Sequence, residues 1–270
     1  MAGTPNDLDW SKLMEEALTV PGDLGRTYRR FHSYSVANQM LFHMQGMHEP
    51  VASYSRWKAL GRQVVRGSKA KEVIVPVKVN VNVPTEETPE QEPVAKKRER
   101  VARLVGFKVV KAVFGLSDTE GPEIPEAPIP GWDLQTALGK LGITEVPFQH
   151  TNGNIQGHSN GMEFAVSPVA KNRTKTVFHE VGHIVLGHTA EDQIQEYQMH
   201  RGLLEFQAES TAYLVMNELG VMDDETASIS RGYIAHWLHG ENPPDTAIRQ
   251  VFSAAERILA AGRVEPEVSE

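Results

Sequence analysis

Leu8, Leu13, Ala17 and Leu18 recur at near-helical spacing until Pro21 and Gly22 interrupt them, so the chain is read as opening with an amphipathic helix. In SYSVANQMLFHMQGM, residues 33–47, the apolar positions Val36, Met40, Leu41 and Met44 form one stripe and predict a second helix. The pattern then changes period. SRWKALGRQVVRGSKAKEVIVPVKVNV passes from a short helix around Trp57 to Leu60, through Gly67, into a β-branched run that reads as a strand. LVGFKVVKAVFGL reads as the returning strand, so 73–83 and 101–115 are expected to pair as a long hairpin. The intervening PTEETPEQEPVAKKRER, residues 84–100, combines prolines with an acidic and then a basic block, and is expected to form a mobile loop.

DTEGPEIPEAPIPG, residues 118–131, holds four prolines and two glycines in fourteen residues, which can continue neither a helix nor a central strand. The expected organisation follows from that break: a first domain over 1–120, a Pro-rich linker over 121–130, a second domain over 131–262 and a disordered tail over 263–270. The second domain is read as a helix from Trp132 to Leu141, then a small antiparallel sheet from VPFQH, NIQGHSNG and MEFAVSP, then helices including about 198–219, 223–238 and 244–261. Both parts mix helices and strands, so the expected class is α+β, the first domain carrying the long hairpin.

Composition sharpens this picture in three ways. A chain of 270 residues with 40 % hydrophobic content supports a packed core. The absence of cysteine excludes disulfides, iron–sulfur clusters and thiolate nucleophiles, leaving His, Asp and Glu to hold any metal. No run approaches about 20 uninterrupted apolar residues and the start has no signal-peptide layout, so a cytoplasmic protein without a membrane partner is expected. The net charge of −8 conceals an asymmetry: residues 1–111 hold 18 Lys and Arg against 12 Asp and Glu, the remainder 9 against 23. A basic part joined to an acidic one points to a polyanion-binding module tethered to something with another task.

The sharpest chemical signal is TVFHEVGHIVLGH, residues 176–188, which contains H-E-x-x-H. Residues four apart on a helix share a face, so His179 and His183 can aim at one ion, most simply Zn2+, with Mn2+ or Co2+ as alternatives. Glu180 lies beside them, where a carboxylate can take a proton from the water that a zinc ion acidifies to a pKa of about 7. A catalytic zinc takes three protein ligands. His188, five residues after His183 and about 500° around a helix, is expected off the ligand face, at the helix end or surface. Glu205 and Glu209, four apart in RGLLEFQAESTAYLVMNELG, are the remaining candidates. The E-x-x-x-D helix of thermolysin-like enzymes makes Glu205 the ligand and Glu209 the group that orients a ligand histidine, although spacing alone allows the reverse. Tyr233 is a further candidate, as an oxyanion stabiliser.

YSVANQMLFHMQG, SRWKALGRQVVRGSKA, VFGLSDTEG and TVFHEVGH followed by LLEFQAESTAYLV resemble, in order, the successive motifs of ArdC-like antirestriction proteins. The resemblance runs from about Ser33 to Trp237. It implies an N-terminal single-stranded-DNA-binding domain, a C-terminal zincin-like metallopeptidase domain related to the ImmA/IrrE group, and a plasmid or phage setting. It also implies a metal centre of His179, His183 and a Glu of EFQAES beside Glu180. Where the family commonly reads V-F-D, this chain has Val113, Phe114 and Gly115. Arg56, Lys58, Arg62, Arg66, Lys69 and Lys71 gather charge around Trp57, with Tyr34 and Tyr54 nearby, as phosphate contacts and base stacking require; Asn38 and Gln39 complete the DNA-facing candidates. Two other readings remain open: a regulatory zinc protease that cleaves a repressor or other protein, and a DNA-binding protein whose ion is purely structural.

Overall fold

The computed structural model of the chain describes residues 8–19, 34–84, 98–124, 131–150, 154–190 and 194–264. Its first elements are α1 (Trp10–Thr19) and α2 (Val36–Met44), each placed where the apolar stripe predicts it. Ser35 caps α2 by accepting from the Asn38 backbone N–H. A short β1 (Val51–Ser53) leads into α3 (Tyr54–Ala59), capped in the same way by Ser53, and β2 (Gln63–Val64) follows.

The predicted hairpin is present as β3 (Lys71–Pro84) and β4 (Arg98–Gly115), antiparallel from Lys71↔Val113 to Pro84↔Arg98. Two register shifts interrupt it, at Lys71/Glu72 and Val77/Lys78. Residues 85–97, most of the expected loop, lie outside the described residues. The sheet order is β1-β4-β3, which leaves β3 at an edge. Helix α2 covers part of that edge with side-chain amides. Asn38 accepts from Ile74 N–H at 2.7 Å and donates to Ile74 C=O at 3.0 Å, and Gln45 does the same for Glu72 at 2.8 and 3.0 Å. Backbone groups without a neighbouring strand are thereby satisfied.

Strand β5 (Thr119–Glu120) pairs with β2, and Arg62 closes the turn by donating to Thr119, Gly121 and Pro122. At Gly115, the departure from the V-F-D pattern, an added Cβ would run into Glu49; that carboxylate accepts from Ser117 N–H at 2.8 Å and Ser117 Oγ at 2.6 Å. Glu49 thus fills the space that Gly115 leaves.

The second part opens with β6 (Gly131–Trp132) rather than a helix at Trp132, because Trp132 pairs with Arg263 of β10 (Arg263–Val264). Helix α4 (Leu134–Leu141) starts after its cap Asp133. Arg263 and Val264, at the start of the expected tail, are therefore ordered in a strand pair, and 265–270 lie outside the described residues. The small sheet contains β7 (Thr144–Glu145), β8 (Gly157–Asn160) and β9 (Glu163–Val166) in the order β7-β9-β8. VPFQH forms no strand; the strand sits just before it and runs parallel to β9, so the expected all-antiparallel sheet is corrected.

Among the described residues, the α-helices α5 (Arg173–Leu186), α6 (Ile194–Leu219), α7 (Asp224–His236) and α8 (Asp245–Gly262) follow, with a π-helical turn Trp237–Glu241 after α7. The apolar face of α8, including Ile248, Val251, Phe252, Ala255 and Ile258, is buried. Trp10 of α1 packs on Phe252 with ring centroids 5.9 Å apart, and Val36 N–H donates to Glu256 at 3.3 Å. One apolar core thus runs from α1 and α2 through α8 to α5 and α6. Mixed helices and small sheets make the class α+β, as expected. Among the described residues no helix is long and apolar enough to cross a membrane.

Candidate metal centre

Asn172 starts α5 by accepting from the Lys175 backbone N–H at 2.9 Å. Its amide nitrogen donates to Asp223 and Thr226, so the first turns of α5 and α7 are tied together. Helix α6 crosses α5 where Gly182 meets Ala208; an added Cβ would lie 3.3 Å from the Ala208 carbonyl. That close crossing brings two turns of α6 against the H-E-x-x-H face.

His179, His183 and Glu205 present two imidazole nitrogens and a carboxylate oxygen that all lie within 4.8 Å of one another, the one such group of three among the described residues. Glu205 Oε2 is 3.3 Å from His179 Nε2 and 3.8 Å from His183 Nε2, and the two Nε2 atoms are 3.2 Å apart. Two nitrogen donors, one oxygen donor and an open side fit a divalent ion that keeps a position for substrate. The open side is a cleft of about 1020 Å³ bordered by β8, α5, α6 and the start of α7.

Glu209 stands behind this group. Its Oε2 lies 3.4 Å from His179 Nδ1, and its Oε1 takes Lys175 Nζ at 2.7 Å and Ser230 Oγ at 2.6 Å. Burial alone would raise the pKa of this carboxyl, but bonds from His179, Lys175 and Ser230 outweigh it and hold the pKa down to about 2. Glu209 is therefore an anion aimed at the outer nitrogen of His179. Burial likewise lowers the His179 pKa, but Glu205, Glu209 and Glu180 more than reverse that effect and raise it to about 9.

Glu180 is buried beside the cluster, and Ser159 Oγ of β8 donates to its Oε2 at 2.8 Å. Gly157 allows this approach, since an added Cβ would meet Thr176 and the Glu180 side chain. Tyr233 is exposed on α7; burial raises its pKa, a bond with Trp237 lowers it, and the Glu205 and Glu209 carboxylates raise it further.

His188 stands at the helix end and outside the ligand group, as expected, but not at the surface. It is 9 % exposed rather than at the surface, with Nδ1 3.0 Å from His183 Nδ1 and Nε2 3.2 Å from Gln207 Oε1. Its burial follows from the helix end and not from helical angle: α5 stops at Gly187, whose positive φ of 84° turns the chain back and lets His188 N–H bond His183 C=O at 3.0 Å. Burial, followed by the neighbouring His183, lowers its pKa to about 4. A glycine immediately before the third histidine was the available signal. Gln207, Ser159, Lys175 and Ser230 had no comparable sequence signature.

The DNA-facing candidates divide by burial. Trp57 is 1 % exposed and donates from Nε1 to Phe114 C=O at 2.9 Å, so its face is closed to a base. Asn38 and Gln39 are buried, Asn38 on the edge of β3 and Gln39 donating to Tyr34 C=O, and Tyr34 packs edge-on against Phe42. Arg62 is committed to the β2–β5 turn. Arg56, Lys58, Arg66 and Lys69 are exposed, Lys71 is half-buried, and Tyr54, 49 % exposed, is the aromatic residue beside them that faces solvent.

Residues 7–111 match the family described as the N-terminal domain of anti-restriction factor ArdC. No curated protein matches the chain. Among solved structures, the chain is similar to the metal-free antirestriction ArdC protein from the R388 plasmid, with 17% identity over 94% of this chain and 96% of that one and a TM-score of 0.46. It is also similar to the Mn(II)-bound structure of that protein, with 15% identity over 95% and 98% and a TM-score of 0.47.

Proposed function

We propose, for a chain that is ArdC-like through its residues 7–111, an antirestriction protein that binds single-stranded DNA with its first part and carries a metallopeptidase-like zinc centre in its second. One observation carries the reading: the family match covers the same residues that hold the exposed cations Arg56, Lys58, Arg66 and Lys69. Tyr54 stands beside them as a stacking surface, and phosphate contacts with stacking bind single strands with little sequence preference.

In the second part, His179, His183 and Glu205 would hold the ion, with Glu209 orienting His179. Bound there, a divalent ion supplies Lewis acidity and an acidified water for hydrolysis. The chain's own share is to hold Glu180 through Ser159 so that its carboxylate can accept a proton at the cleft. The open cleft and a group of three protein donors among the described residues support this reading over a purely structural ion, which is normally enclosed by four. A protein substrate fits the same chemistry.

The test is equilibrium binding of a labelled single strand at moderate salt with duplex competitor, alongside protection of incoming DNA by wild type and Glu180→Gln. Preference for the single strand, with protection surviving in Glu180→Gln, is expected. Absence of single-strand binding contradicts the DNA reading, and loss of protection in Glu180→Gln transfers the function to a regulatory protease.

A further inference from the structure

The two histidines of the centre are steadied from behind by different devices. His179 faces a carboxylate, Glu209. His183 faces a second histidine, and behind that lies a chain of amides reaching α8.

The Ala247 carbonyl can only accept, so the Gln207 atom 3.2 Å from it must be the amide nitrogen, which also donates to Gln250 Oε1 at 2.8 Å. That fixes the Gln207 amide oxygen toward His188 Nε2, 3.2 Å away. An amide oxygen only accepts, so His188 carries a proton on Nε2. A neutral His188 then offers a lone pair at Nδ1, 3.0 Å from His183 Nδ1, and that pair can be met only by a proton on His183 Nδ1. In the neutral imidazole that tautomer leaves His183 Nε2 as the lone-pair nitrogen, beside His179 and Glu205.

The inner end gives the same answer independently. An ion held at this group requires the lone pair of His183 Nε2, hence a proton on Nδ1, hence an acceptor at His188. We propose that His188 and Gln207 form a positioning relay, anchored on Ala247 and Gln250 of α8, that fixes the tautomer and ring orientation of His183 for metal binding. Its metal-binding consequence rests on the centre proposed above, whereas its proton placement does not.

The relay explains why His188 follows a left-handed glycine. Gly187 ends α5 in the one conformation that folds the next residue back over the last helical turn, where an imidazole reaches the outer nitrogen of His183. It also joins the centre to α8, whose far turns pack against α1 and α2.

Nitrogen-15 NMR of the imidazoles in the metal-free full chain tests the proton placement, and competition for Zn2+ against a chromophoric chelator tests its consequence. The expected spectrum has His183 protonated on Nδ1 and His188 on Nε2. His188→Leu is expected to weaken Zn2+ binding about 10- to 100-fold. His188→Asn, whose amide oxygen can take the place of Nδ1 as acceptor, is expected to recover most of that loss, which a residue needed only for packing would not do. His183 protonated on Nε2 in the wild type, or a Leu variant that binds Zn2+ as tightly as wild type, overturns the relay. Failure of the wild type to bind Zn2+ while the tautomers are as expected would count against the metal centre alone, so the two ideas fail separately.

Discussion

The cluster on α5 and α6 and the basic segment from Arg56 to Lys71 were both read as functional from charge and spacing, yet the structure treats them differently. In the cluster, the polar side chains are buried or half-buried and answer one another: Glu209 to His179, Ser159 to Glu180, His188 to His183. In the basic segment, residues of similar appearance have unrelated tasks. Trp57 is core, Arg62 staples a turn and Arg56 stands in solvent. Burying polar groups is costly unless they are paired, so an interior site constrains its members together, whereas a surface charge needs no partner. A buried site can therefore be read as a set and a surface site only residue by residue.

The largest effect should come from confusing core with surface in the basic segment. Trp57→Ala is expected to cost about 3–5 kcal/mol of stability, while the folded fraction binds single strands as wild type does. Chemical denaturation paired with binding measures both. Asn38→Leu leaves the Ile74 backbone groups of β3 without partners and should cost about 1–3 kcal/mol in the same assay.

A second comparison sharpens the cluster itself. Glu205→Ala removes a proposed ligand and should weaken Zn2+ binding more than about 100-fold, exceeding the loss expected from removing an outer partner. Equal losses for Glu205→Ala and Glu209→Ala, measured by chelator competition, would erase the distinction between ligand and orienting group.

The pH dependence of metal uptake has a definite sign. With the His179 pKa raised to about 9 in the metal-free chain, its imidazole is protonated at neutral pH and must lose that proton to take an ion. Apparent affinity is expected to rise about tenfold per pH unit from neutral to about 9 and to flatten above it. Calorimetry in buffers of different ionisation enthalpy should detect the released proton.

The smallest effect belongs to the exposed cations. Lys58→Glu with Arg66→Glu should leave stability nearly unchanged and reduce the salt slope of single-strand binding by about 1.4, which is about 0.7 for each lost phosphate contact.

Much of this was legible beforehand, for physical reasons that differ by element. The apolar stripes of α1, α2 and α8 and the β-branched arms of β3 and β4 located those elements, because their periodicity reflects burial. H-E-x-x-H and the Glu205–Glu209 spacing were legible because helix geometry puts such residues on one face. The helix-end position of His188 was legible, but its burial against His183 was not, because that depends on how Gly187 turns the chain after the helix. Trp132 was assigned to a helix because its partner, Arg263, lies more than a hundred residues away. Asn38 and Gln39 looked like surface amides because only the tertiary structure shows the β3 edge and the Tyr34 carbonyl that they meet.

Whether the two regions work as separate sites is decided by a salt series of single-strand binding. Wild type, His183→Ala and the Lys58→Glu/Arg66→Glu double variant should be compared on one oligonucleotide. Only the double variant is expected to lose affinity and salt slope, while His183→Ala follows wild type. A His183→Ala chain that is folded but no longer binds the strand, beside a double variant that still does, would contradict it.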